Sequence, residues 1–379
     1  MKILQEVFTK ESGWKSISQN GNIENPHLVL VFGNREIISN HQIYQELKDK
    51  YPIADIIISS TAGEIDNEGL VDNSIVVTAI EFEHTQLETC EVNIKDFSDS
   101  YAAATQIVST LCKKDLNHVF IVADGQLING SELVNGLNQF QDKGVLTTGG
   151  LAGDEYAFHK TVVGLNDTPS EGNIVAIGFY GNRLKVGFGS KGGWDPFGPE
   201  RMITKSKGNV LYELDNQNAL DLYKKYLGEA AKALPSSALF YPLSIKVEGS
   251  EEPLVRTILS ICEETKSMTF AANMPQGTIA QMMKHNADRL IGGAEQAAEN
   301  CVSNNSEENP ELAILISCVG RRIVLDQNVE EEIEVIRDQF GKKTILTGFY
   351  SYGEIAPFNT LSKCELHNQT MTITTLSEI

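Results

Sequence analysis

Three acidic residues stand directly behind a glycine in three loops of similar wording. Glu64 closes SSTAGE, Asp154 closes TTGGLAGD and Glu354 closes FYSYGE. A carboxylate in such a place has two uses. It can accept backbone N–H groups of its own turn, a structural role, or it can bind a ligand and move protons. Arg321 and Arg322 end an apolar run, ISCVGRR. A guanidinium there suits a bound carboxylate; the competing reading is an ion pair with Glu330 or Glu331. Tyr352 sits inside the third loop and, with Trp194, Phe197, Phe349 and Tyr350, offers either a pocket wall or ordinary core. Of seven histidines, His159 follows Asp154 by five residues on the same loop. Six cysteines show no CxxC spacing and no CxxCH, so neither a zinc site nor covalent haem attachment is expected. Cys318 and Cys364 flank the third loop and are readable as thiolate ligands or as inert core.

The elements that position these loops repeat. Before the first comes HLVLVFGN (27 to 34) and a helical pattern from Ser39 to Lys50. Before the second comes NHVFIVADG (117 to 125) and a helical pattern from Asn129 to Gln141; before the third, ELAILISCVGRR (311 to 322) and EEEIEVIRDQFGKK (330 to 343). The glycine that ends each first strand precedes the glycine before the acid by 30, 28 and 33 residues. A strand, a crossover helix and a parallel strand need about 30 residues, so each unit reads as a βαβ module. Ligands of open α/β sheets lie beyond the carboxyl ends of parallel strands. That rule puts Asn34, Asp124, Arg321, Glu64, Asp154 and Glu354 at candidate positions. The spacing is uneven, so the chain is a duplicated module, not a solenoid.

Further elements follow from periodicity. SIVVTAIEF (74 to 82) and LETCEVNIKDF (87 to 97) predict one hairpin; NIVAIGFYG (173 to 181) and RLKVGFGS (183 to 190) predict another. Helices are expected at Ser100 to Lys113, at Asn218 to Leu227 with Gly228 as its stop, and as one long run from 278 to 301. Strands are expected at 237 to 247, 253 to 264, 267 to 274 and 368 to 378, with residues 1 to 26 irregular and 303 to 310 a loop. GFGSKG (187 to 192) matches GxGxxG, but Pro196 and Pro199 forbid the helix that a dinucleotide site requires. The net charge of −20 argues against electrostatic binding to nucleic acid or anionic membranes. No run approaches the roughly 18 to 20 apolar residues of a membrane span, and Glu6 and Glu11 interrupt any leader, so a cytoplasmic location is expected. There is no GxSxG, P-loop or HExxH, which favours binding over catalysis.

SSTAGEI, GGLAGD, GGWDPFGPER, GNVLYELDNQNALDLYKKYLG, ISCVGRR, GFYSYGEIAP and ELHNQTMT together resemble the FIST family, across about residues 27 to 374. The resemblance implies a bacterial sensory protein; an enzyme is the third reading, because carboxylates converging at strand ends could still do acid-base work. It implies an extension (1–26), an N-terminal FIST domain (27–217) and a C-terminal FIST domain (218–379). The fold class is α/β: two domains of repeated βαβ modules, with mixed, largely parallel sheets and added hairpins. The chain is similar to the nitric-oxide-sensing haem proteins of FIST type (NosP). That similarity implies haem b, nitric oxide as the signal, and a histidine kinase or cyclic-di-GMP enzyme as partner, with a homodimer as an option. His367, in the ELHNQTMT phrase, and His159 are then the candidate axial ligands. The alternative is a sensor of a small polar ligand such as an amino acid, which the loops of Glu64, Asp154, Arg321, Tyr352 and Glu354 suit better than a porphyrin face.

Overall fold

In a computed structural model, the structure describes residues 1–246, 253–303, 309–359 and 362–379. Three modules are threaded alike. Each has a lead strand, two parallel strands joined by helix, a short exchange strand and a return strand. The lead strands are Lys2–Thr9, Gln86–Asn93 and Leu184–Lys191. The first parallel strands are Leu28–Gly33, Leu116–Ala123 and Leu312–Cys318, and the second are Asp55–Ser60, Leu146–Leu151 and Ile345–Ser351. In all three modules the return strand (Ser74–Glu81, Asn173–Tyr180 or Met371–Glu378) runs antiparallel between the lead strand and the first parallel strand. The first parallel strands read as unbroken apolar runs because both their faces are covered. Helices pack outside each sheet. Their starts are set by side chains: Asn40, Asp99 and Asn129 each accept a first-turn N–H of the helix that follows.

The exchange strands tie the modules into a ring. Glu64–Ile65 of the first module pairs with the second parallel strand of the third. Gly353–Pro357 of the third pairs with that of the second, and Val163–Leu165 of the second pairs with that of the first. The inner faces of all three sheets meet in one core that includes Phe32, Ile57, Phe120, Val122, Ile314 and Phe349. The Phe32 and Phe349 rings lie 4.7 Å apart. Close strand approach requires glycine at two matching places: a Cβ on Gly149 would fall 1.9 Å from the Ile121 carbonyl oxygen, and one on Gly348 1.9 Å from that of Leu315.

A fourth unit interrupts the third module. The chain leaves at Asp195 and returns at Lys284, and these two residues are paired across neighbouring strands. Between them lie an antiparallel sheet, the helix Ala219–Leu227 and a separate core of Ile203, Leu220, Tyr223, Met268 and Phe270. No helix among the described residues is long and apolar enough to cross a membrane.

The mixed α/β class with parallel strand pairs stands as expected, but the sheets are not largely parallel: each module has one parallel pair among antiparallel neighbours. Several local expectations also fail. Neither predicted hairpin forms. Residues 74–81 and 86–93 join different sheets, because the link between them is pulled onto the third module: Glu83, His84 and Thr85 donate their N–H groups to the Glu378 carboxylate at 2.6–3.0 Å. Residues 173–180 and 184–191 likewise separate into two sheets. Residues 1–26 are not irregular: Lys2–Thr9 and Gly13–Asn20 pair, with Ile3, Gln5 and Val7 turned inward. The expected helix from 278 to 301 is a strand, Ile279–Lys284, followed by a helix, Ala287–Ser303. Pairing with two neighbouring strands overrides helix propensity there. Residues 236–240 form a 3-10 turn before the strand Leu243–Lys246. The end of the strand expected at 237–247, and most of the loop expected at 303–310, lie outside the described residues.

Candidate functional site

The parallel strands of the second and third modules end on one side of the ring, and the inserted unit stands over them. Between lies a cavity of about 850 Å³. The second module contributes the turn Gly125–Gly130, Leu151 and Phe158; the third contributes Cys318, Val319, Gly320 and Tyr352. The inserted unit supplies the opposite wall through Asn209, the segment from Pro235 to Leu239, Thr257–Leu259 and Phe270–Asn273. Local chemistry explains the turn. The Asp124 carboxylate, fully buried at the strand end, accepts from the N–H groups of Gln126 (2.7 Å) and Leu127 (2.8 Å), and Asn129 then caps the next helix. Among the described lining residues none is charged.

Glu64 and Glu354 occupy equivalent places and are held alike. Thr61 and Ser351, each three residues earlier, donate hydroxyls at 2.5 and 2.7 Å; Ser74 and Thr370 each add a hydroxyl and an N–H. Burial, partly offset by these donors, raises both carboxyls to about 8. Asp154 breaks the pattern: it accepts the N–H groups of His159 and Lys160 at 3.0 and 2.7 Å and the Tyr352 hydroxyl. Tyr352 also stacks on Phe158, centroids 4.7 Å apart, at the cavity wall.

Residues 27–217 match the FIST N domain and residues 219–357 the FIST C domain. The chain belongs to the FIST family. FIST domains are sensory domains of signal transduction that bind small ligands. The chain is also 22% identical, over 357 residues, to an uncharacterised protein of Methanocaldococcus jannaschii. That match covers 83% of this chain and 66% of the archaeal protein, just under two thirds of its length. The two FIST halves divide within the inserted unit, so their boundary does not coincide with a module boundary.

Of the sequence-read site residues in this FIST protein, Tyr352 lines the cavity and Asp154 stands directly behind it. Glu64 and Glu354 face their own loops at the exchange strands. Arg321 is fully buried and pairs with Glu332 at 2.7 Å, not with Glu330 or Glu331; it also donates to the carbonyls of Gly192 and Leu290. Trp194, Phe349 and Tyr350 are core. The Gly125–Gly130 turn and the wall from the inserted unit were not among the candidates. The turn carries a signal in Asp124, a strand-end acid two residues before the amide it caps; the inserted wall carries none.

A haem would need an axial ligand and cationic partners for its propionates. No histidine, lysine or arginine lines the cavity among the described residues. His159 is exposed on its loop. His367 is buried with its Nε2 2.8 Å from the Ala356 carbonyl oxygen, and burial lowers it to about 4. Cys318 does line the cavity, but burial pushes its thiol well above the usual range, and the Tyr352 phenol is committed to Asp154. Among the described residues no cluster of three or more His, Cys, Asp or Glu is placed to hold a metal. The residues present do not fit a haem in this cavity.

Proposed function

We propose that this FIST protein is a sensor whose small ligand occupies the cavity between the second and third modules and the inserted unit. One observation carries the reading: the walls come from both sides of a joint between two separate cores. A ligand that touches both sides favours one arrangement of the inserted unit, which is the differential contact a signal requires. The volume is that of an ordinary small-ligand site. The acids that could do proton transfer are turned onto their own loops, which supports binding over catalysis. The position of the inserted unit is what a separate partner, such as a histidine kinase or cyclic-di-GMP enzyme, would read in the cytoplasm.

The test is a thermal-shift screen of small metabolites with the full chain. Ligand at a hundred times its Kd stabilises by about 2.7 kcal/mol, and the shift is expected to vanish in Ala271→Trp, which puts an indole into the cavity from the inserted wall. A ligand whose shift survives that change overturns the site. The haem and nitric oxide reading has its own measurement. Haemin added to the full chain is expected to give no stoichiometric Soret band; a nitric-oxide-sensitive band lost in His367→Ala or Cys318→Ala would restore that reading.

A further inference from the structure

We infer that the ligand of this cavity is electrically neutral and amphipathic, with an apolar body and a carboxamide- or hydroxyl-like end. The inference rests on the cavity being the ligand site. An anion in a concave site is held by cationic side chains or by unspent backbone N–H groups at turns and helix starts. The cavity offers no lysine, arginine or histidine among its described lining residues. Four of the six backbone donors of its turn, Gly125–Gly130, are already spent. Gly125 donates to Thr161 Oγ1 at 2.9 Å, Gln126 and Leu127 donate to Asp124, and Asn129 donates to Ser100 Oγ at 3.0 Å. On the opposite wall Phe270 donates to the Asn209 carbonyl, Ala271 to that of Thr257 and Asn273 to Ser131 Oγ. The turn that would cradle a phosphate or carboxylate is thus largely filled from behind by the protein's own acceptors, and no cationic side chain among the described lining residues supplements what is left.

A cation fares no better. No carboxylate lines the cavity among the described residues, and Asp154, the acid behind Tyr352, is committed to two N–H groups and that phenol. Moving an unpaired charge into such a site is strongly unfavourable. Neutral polar partners are available: the side-chain carboxamides of Gln126 and Asn273 take no partner among the described residues. Apolar partners are concentrated at the same place. Leu127, Phe158 and Leu259 line the cavity yet remain 55%, 41% and 50% exposed. Large apolar side chains left in water on two facing walls mark a surface that an apolar body would cover.

Three probes with one body test the charge: hexanamide, hexanoate and hexylammonium, titrated by saturation-transfer NMR against the full chain, Ala271→Trp and Leu259→Trp. Leu259→Trp changes an exposed position at the cavity and keeps the test open if Ala271→Trp does not fold. The expected result is hexanamide binding at least tenfold tighter than either ion, and lost in the variants. An ion that binds as tightly as hexanamide, and is lost in the variants, overturns the neutral class and leaves the cavity as the ligand site. Hexanamide binding unchanged in both variants overturns both readings. Absence of saturable binding by all three in the millimolar range overturns the neutral amphipath as well.

Discussion

Glu64 and Glu354 are each fixed by a hydroxyl three residues earlier and by the hydroxyl and N–H of a residue on the return side. Their folded-state values, about 8, lie above the ordinary 4.5. The folded state therefore binds these protons more tightly than the unfolded chain does. The stabilisation is complete below about pH 4.5 and is lost as pH rises through about 8. Melting temperature should fall between pH 6 and pH 9, and the fall should shrink in Glu64→Gln/Glu354→Gln; an unchanged fall in the double variant would refute the assignment. Arg321 makes a different prediction. Its partner Glu332 also accepts from Ser317 and Tyr350, at 3.0 and 2.7 Å, so removing the guanidinium strands a buried carboxylate. Arg321→Ala should destabilise by about 3–5 kcal/mol, measured by denaturant unfolding. A loss below about 1 kcal/mol would mean that the carboxylate finds another partner.

At the scale of elements, the three βαβ units were legible because their strands are continuous apolar runs and their crossovers have helical period. Their partners were not. A return strand looks like half of a hairpin, yet its neighbours are set by Glu378, nearly three hundred positions away from the link that it grips. Exchange strands of two to five residues carry no periodicity to read. The two glycines at the matching strands are the sharpest local requirement. Gly348→Ala should destabilise by at least about 2 kcal/mol, since the backbone must move to admit a Cβ. Gly144→Ala, also at positive φ but with open space around it, should have a smaller effect. Equal losses at the two sites would show that backbone angle, not the approach to Leu315, sets the requirement.

At the scale of the molecule, Tyr352 of the third loop and Cys318 at its strand end were the legible parts of the cavity wall. The facing wall belongs to a unit whose strands alternate in ways that say nothing about what they will cover. That unit leaves and returns at one pair of residues. Replacing residues 196–283 with a two-residue turn should leave a cooperatively folding ring that has lost ligand binding; a ring that fails to fold would make the inserted unit part of its core. The ring itself imposes an order on biosynthesis. The first module is translated first, but Glu64 and Ile65, paired on one side with Val71 and Leu70, have no strand on the other until Phe349 and Gly348 emerge. At about 5–20 residues per second, that delay is on the order of tens of seconds. Until then the apolar inner face of the first sheet waits for the two sheets that cover it, so the nascent chain is most open to aggregation before the third module emerges.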